Sequence, residues 1–379
     1  MYTPQPLGNP TSRPVLRTYV LGALVVVGSL LAALVFAVLF GFGYGIRTTL
    51  MAAVLALIPL AFVLPVFIWL DRYEAEPWRY LVSAFLYGAL GSTLLALVVN
   101  TVGGSVLVGY TTPESAETLS AVLIAPLSEE TFKGAFLLLV LLVRRRHFNG
   151  IVDGVVYAGI VAGGFAFTEN ILYFARVYTE TGAIVDTLIV FGFRGTSLFL
   201  HPIFTSMTGI GVGMAATSRS WGVRIIAPFL GWCLAVLLHG LWNLSASTGT
   251  FAGLVVGYGT GFVVFVAYIA FIIWARQREG KIIGQQLTAY VDAGWLTPGE
   301  VAMLASTGER RRARGWARRS GGSGAVRSMR AFQDMASELA LLRARMQRRT
   351  PDQQTLEHER ALLEWLTLRR QQFSGRSIG

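Results

Sequence analysis

Leu127-Ser128-Glu129-Glu130-Thr131-Phe132-Lys133 sets two adjacent carboxylates and an ammonium inside an apolar run reaching from residue 118 to 143. One charge at the centre of a membrane span costs about 2.5–3.5 kcal/mol. Three charges tolerated there are expected to face protein rather than lipid, and to be used. Glu129 and Lys133 are four apart and share a helix face in the favourable order. Glu130 lies about 100° around the helix, so one carboxylate can pair with Lys133 while the other points elsewhere. Pro126 removes a backbone donor just before the pair. A structural salt bridge between helices is the competing reading of this stretch alone.

Other apolar runs carry the remaining candidates. Glu169 and Asn170 close Phe165-Ala-Phe-Thr-Glu-Asn; His201 precedes Pro202; His239 and Asn243 are four apart and share a face. Singly, each has a structural explanation: a buried acid bonded to a neighbour, a helix irregularity, or interhelical hydrogen bonding. Together they suit peptide hydrolysis, which needs an activated water, oxyanion stabilisation and a proton for the leaving amine. Glu129 beside a second acid in low dielectric is suited to general-base work, with Glu130 sharing the proton and Lys133 holding one carboxylate. His239 and Asn243 are oxyanion donors in this scheme, and Glu169 and His201 bind water. Alternatively, Glu169, His201 and His239 supply the three N/O ligands of a catalytic Zn²⁺. The chain lacks His-Glu-x-x-His, so such ligands must come from three helices. His147, beside three arginines, and His358, near the C-terminus, read as solvated surface.

These residues need helices to hold them. The 379 residues are 54% hydrophobic and 14% charged, which excludes an ordinary soluble protein and indicates an all-α polytopic membrane protein. Eight runs reach the roughly 20 residues that cross a bilayer. They lie near 17–41, 49–70, 80–109, 118–143, 151–176, 190–217, 224–248 and 252–275. Arginines gather in alternate loops: Arg13 and Arg17; Arg72 and Arg79; Arg144, Arg145 and Arg146; Arg219 and Arg224; Arg276, Arg278 and Lys281. The opposite loops hold Arg47, Arg176 and Arg194. The distribution places both termini in the cytoplasm of a multi-pass cell-membrane protein. In that orientation Glu129, Glu169, His201 and His239 all fall roughly 10–16 Å from the outer ends of their spans. Four residues from four helices thus share one level. A proton-coupled transporter or channel using the same acids would need polar groups reaching both faces, and a non-catalytic scaffold would not need the cluster.

Residues 1–16 read as a disordered lead, 17–276 as the transmembrane domain and 277–379 as a cytoplasmic basic helical tail. Thr297 and Pro298 read as the cap and first position of a helix. Arg310 to Arg319 is a basic run, Ser320-Gly-Gly-Ser-Gly a flexible linker, and 326–347 with 353–373 a helical hairpin. The net charge of +11 comes almost wholly from arginine, since Lys133 and Lys281 are the only lysines. Anionic headgroups account for such a tail, so no nucleic-acid partner is expected. The single cysteine, Cys233, excludes an intrachain disulfide and a cysteine-rich zinc site.

In order, Glu129-Glu130-x-x-Lys133, Phe165-x-x-x-Glu169-Asn170, His201 and His239-x-x-x-Asn243 resemble the PrsW family of intramembrane proteases. Asp71-Arg-Tyr-Glu-x-Glu-Pro77 and Asp153-Gly154 are similar to that family's segments too. The resemblance covers about residues 60 to 250. The wider superfamily includes the CAAX prenyl proteases, with Glu-Glu-x-x-x-Arg and Phe-x-x-x-His. This chain has Lys133 and Glu169 in those roles and departs from that pattern. The resemblance implies cleavage of a membrane-anchored protein near the outer face, an anti-sigma factor in some members.

Overall fold

The computed structural model describes residues 16–73, 76–143, 148, 150–348 and 351–374, with the side chains of 16–22 and 24 excepted. The N-terminal lead, Arg144, Arg145, Arg146 and His147 lie outside the described residues. Among the described residues every regular element is a helix. They fall into two compact units, Val15–Leu70 with Glu76–Ile272, and the turn beginning at Asp71 with the chain from Ile273 onward.

The larger unit contains α1 (Leu16–Gly43), α2 (Ile46–Leu70), α3 (Trp78–Leu86), α4 (Thr93–Val108), α5 (Pro113–Leu119), α6 (Ala125–Val143), α7 (Ile151–Thr181), α8 (Ile184–Thr196), α9 (Leu200–Thr217), α10 (Trp221–Ser247) and most of α11 (Phe251–Asp292). Wide π-turns at Tyr87–Ser92 and Ser120–Ile124 join α3 to α4 and α5 to α6 without breaking the helix. Seven described helices are long and apolar enough to span a membrane. The continuous helix Pro113–Val143, expected as the fourth of eight spans, is not among those seven; it carries Glu129, Glu130 and Lys133. The protein is an all-α, multi-pass membrane protein. The sixth expected span is in two pieces, because the chain breaks between α8 and α9 at Ser197–Phe199. Pro202 disfavours helical backbone at the residue before it and sits comfortably only in a first turn.

α7 is apolar nearly all round and buried along most of its length, packing against α2, α8 and α9. Glycines let it approach its neighbours closely. A β-carbon on Gly154 would lie 2.0 Å from the carbonyl oxygen of Gly209, and one on Gly209 would lie 2.2 Å from that of Gly154. The backbones of α7 and α9 therefore touch, as small residues permit between membrane helices. Tyr157 of α7 donates to Glu76 at 2.8 Å, holding the start of the α3 segment.

The smaller unit has its own core, with Tyr73, Leu287, Phe332, Leu339, Leu342 and Leu366 among its buried members. It comprises the end of α11, then α12 (Pro298–Leu304), α13 (Thr307–Met346) and α14 (Gln353–Ser374). Thr297 caps α12 in a reciprocal capping box with Glu300. The Ser320–Gly324 stretch is a tight kink inside α13, with Gly322 at φ 66°, rather than a flexible linker. Arg310, in the basic run, is buried and donates to the carbonyls of Leu304 at 2.7 Å and Tyr73 at 3.1 Å.

Gly154→Ala should cost about 1–3 kcal/mol of stability through overpacking of the α7–α9 crossing. Gly259→Ala, with nothing within 4 Å of the added carbon, should leave stability unchanged or slightly raised. Thermal unfolding of the two variants in detergent checks the contrast.

Candidate active site

The site begins in α6, at the point where the backbone is unusual. The π-turn at Ser120–Ile124 carries the N–H of Ala125 back to the carbonyl of Ser120, and Pro126 has no N–H to give the carbonyl of Ala121. The carbonyl of Ala121 accepts instead from the side-chain amide of Asn243 on α10, at 2.8 Å. That bond ties α10 to the approach to α6. One turn later Glu129, Glu130 and Lys133 are all buried.

Lys133 Nζ lies 2.7 Å from Glu130 Oε1, 3.6 Å from Glu129 Oε2 and 3.3 Å from His201 Nδ1. It also sits 4.2 Å from the centre of the Phe165 ring, a cation–π contact that costs no further polar group. Glu130 is saturated with donors: Lys133 and His239 Nδ1 at Oε1, the latter at 3.0 Å, and Thr205 Oγ1 at Oε2, at 2.8 Å. A carboxylate so engaged is an ionised acceptor, and it requires His239 to carry its proton on Nδ1. The other imidazole nitrogen, Nε2, is then a lone pair, 3.9 Å from Glu129 Oε2. Glu129 Oε2 is itself buried and accepts no hydrogen bond. Two acceptors at that separation need a proton or a cation to be stable together.

His201 bridges this buried end to a more open one. Lys133 can only donate, so Nδ1 accepts and Nε2–H donates to Glu169 Oε2 at 3.0 Å. The guanidinium of Arg194, from the last turn of α8, donates to the same oxygen at 2.5 Å and to Asn170 Oδ1, and lies 4.1 Å from the Tyr173 ring centre. A cavity of about 40 Å³ is lined by Asn170, Arg194 and His201 together with apolar side chains. That is room for a few waters at about 10–15 Å³ each. Glu169 and Arg194 retain 15% of their side-chain exposure and His201 16%, against 0% for Glu130 and Lys133.

Glu129, His201 and His239 each offer a ligand atom within 4.8 Å of the others. The donor chemistry fits a divalent metal once Lys133 releases one lone pair: Glu129 Oε2 accepts no hydrogen bond, His239 Nε2 faces it with Glu130 behind as an orienting carboxylate, and the lone pair of His201 Nδ1 is held by Lys133. The charge balance agrees. Glu129, Glu130 and Glu169 against Lys133 and Arg194 leave one negative charge with neutral imidazoles. This set differs from the expected Glu169, His201 and His239 in one member, because Glu169 is taken up by Arg194.

The family model described as "PrsW family intramembrane metalloprotease" matches residues 76–274, which hold every residue of the cluster. The chain belongs to the PrsW family. Protease PrsW of Clostridioides difficile is 26% identical over 211 residues, covering 54% of this chain and 79% of the relative. That of Geobacillus kaustophilus is 28% identical over 213 residues, covering 55% and 84%, and that of Oceanobacillus iheyensis 30% over 157, covering 41% and 66%. No solved structure matches the chain. The protein is thus a membrane-spanning protease, and the transporter and scaffold readings of its acids give way.

Within this PrsW-family protease the structure gathers Glu129, Glu130, Lys133, Glu169, His201 and His239 into one contiguous group, with Asn170 beside it through Arg194. Asn243, expected as an oxyanion donor, is not among them, since its amide serves the carbonyl that the π-turn leaves free. Arg194 and Thr205 belong to the group but were not anticipated. Arg194 counted as an outer-loop charge, and a threonine in an apolar run carries no signal of its own. Replacing Arg194 by Ala should cost about 1.5–3 kcal/mol, the worth of charged hydrogen bonds to Glu169 and Asn170. Arg194→Lys should recover only part of it, because an ammonium lacks the planar, pre-set fork by which Nε and Nη reach Asn170 and Glu169. Thermal unfolding of both variants in detergent checks the order.

Proposed function

We propose that the protein hydrolyses a peptide bond of a membrane-anchored protein, close to the outer face of the membrane, with Glu129 acting on the nucleophilic water. The observation carrying this reading is the buried Glu129 carboxylate oxygen that accepts no hydrogen bond, 3.9 Å from Nε2 of His239. Glu129 takes a proton from water as the oxygen adds to the scissile carbonyl. The tetrahedral adduct then loses the amine as the C–N bond breaks, and the same proton leaves on nitrogen. Lys133 supplies positive charge where the oxyanion develops, and Glu130 holds Lys133, Thr205 and His239 in register. Glu169 fixes the tautomer of His201.

Glu129 through Oε2, His239, and His201 once Lys133 releases its Nδ1 would hold a divalent ion such as Zn²⁺, leaving the second oxygen of Glu129 for the water. Bound there, it would supply Lewis acidity that lowers the pKa of water and polarises the carbonyl. Cytoplasmic termini, taken from the arginine distribution, put the cluster in the outer half of the bilayer. An anti-sigma factor is the substrate class that the family resemblance suggests.

In a reconstituted cleavage assay Glu129→Gln should lower kcat by about 10²–10⁴-fold, the range of general-acid–base contributions. Turnover within twofold of wild type would overturn the assignment. Purified protein should contain about one equivalent of zinc or another divalent metal, lost in His239→Ala, and chelation should abolish cleavage. Retention of full activity after complete metal removal would refute the metal and leave Glu129 as base.

A further inference from the structure

A second, larger cavity of about 400 Å³ lies between α10 and α11, within the roughly 300–1,000 Å³ range of ligand sites. It shares Leu200, Phe204 and Trp242 with the small cavity at Arg194 and His201, so the two are adjacent across those three side chains. Phe204 also stacks on the imidazole of His239, ring centres 5.3 Å apart. One face of this phenylalanine therefore belongs to the catalytic cluster and its surroundings to the groove. Leu238, next to His239, lines one end, and Thr248, at the close of α10, lines the other. Ten residues of helix separate them, about 15 Å at about 1.5 Å per residue. The groove thus starts at the level of the chemistry and runs to the α10–α11 turn.

Its walls carry no charged side chain. The polar groups among them are the hydroxyls of Ser245, Thr248 and Thr260 and the indole N–H of Trp242. Leu241 and Val256 are exposed, so the groove opens sideways along its length. A substrate reaching this protease within the membrane must arrive through an apolar, sideways opening. It must also unwind, because a helical carbonyl is already hydrogen-bonded, and an unwound backbone in apolar surroundings needs partners. The Ser245 and Thr248 hydroxyls donate within α10, to the carbonyls of Trp242 and Ser245, and can accept from such a backbone, while Thr260 can donate and accept. At about 3.3 Å per residue, 15 Å accommodates roughly four or five extended residues.

We propose that this groove binds, in extended form, the uncharged apolar stretch of the substrate's transmembrane segment adjoining the scissile bond. The proposal rests on the proteolytic reading of the cluster, and adds to it the substrate chemistry that the enzyme selects: bulky aliphatic or aromatic side chains, no charge, over roughly four residues on one side of the cleaved bond.

The test uses the full chain in liposomes, carrying Glu129→Gln so that binding is read without cleavage, and a photo-crosslinking amino acid at position 260. The probe is a biotinylated single-span peptide of about twenty alternating leucines and alanines, with a central Gly-Gly pair and lysines at both ends. Peptide captured at 260 and displaced by unlabelled peptide supports the proposal. Capture of phospholipid alone, unchanged by peptide, overturns it and makes the groove an acyl-chain site. A second arm gives the active chain single-span peptides randomised over the eight central positions. Thr260→Phe, which narrows the groove, should move the preference on one side of the bond from leucine, valine and phenylalanine to alanine and glycine, by about fivefold or more. Identical preferences in wild type and Thr260→Phe would overturn the proposal. Capture at 260 with no cleavage of any peptide by the active chain would refute the catalytic reading and leave the groove assigned.

Discussion

A single ammonium, fully enclosed, decides how this membrane domain is assembled. Lys133 has no water to turn to, and leaving it unpaired in the interior would cost several kcal/mol. It is satisfied by Glu130 and approached by Glu129 on its own helix, by His201 from α9 and by the face of Phe165 from α7. Each partner is itself committed elsewhere: Glu130 to Thr205 and His239, His201 to Glu169, Glu169 to Arg194. Five helices therefore meet around one charge, and none can shift without leaving a polar atom unmet in low dielectric. The exception is Glu129, whose Oε2 is brought close to Lys133 and His239 without a hydrogen bond. The network saturates every acid except the one best placed to act on water.

Such a network requires helices closer than bulky side chains allow. The α7–α9 crossing is made backbone to backbone at Gly154 and Gly209, which brings Phe165 and Glu169 on one helix alongside His201 and Thr205 on the other. Asp153-Gly154 at the start of α7 is therefore a packing device. It works from some distance by setting how deep the two helices interlock. The π-turn before α6 does related work, because its surplus carbonyl recruits Asn243 and so positions the helix that carries His239.

Much of this was legible in the residue string. Charges inside apolar runs are costly enough to be conspicuous, so Glu129, Lys133, Glu169, His201 and His239 stood out, and span counting put them at one level. What escaped were features whose meaning depends on where backbone ends and neighbours begin. Arg194 looked like a loop residue because the break at Ser197–Phe199 has no strong composition; only the fold shows that α8 aims its guanidinium back at Glu169. Asn243 shares a helix face with His239, but a shared face does not reveal which polar group a π-turn has released nearby. In the tail, glycines at 321, 322 and 324 permit a flexible linker and an ordered kink equally, and Arg310 reads as solvated until Leu304 and Tyr73 close over it.

The cluster is graded from sealed to open, and the gradient separates two tasks. At the sealed end Glu130 is fully engaged by Lys133, Thr205 and His239 Nδ1, which suits holding geometry fixed while charge develops. At the open end Glu169, Arg194 and His201 keep some exposure, and Arg194 and His201 border a cavity large enough for water. Water must enter from that side, since on the other the hydrogen bonds are already made. The groove reaches the same place through Leu200, Phe204 and Trp242. In the proposed reading the substrate lies in the apolar groove and water in the adjacent small cavity, where Asn170, Arg194 and His201 are the polar groups among mostly apolar walls.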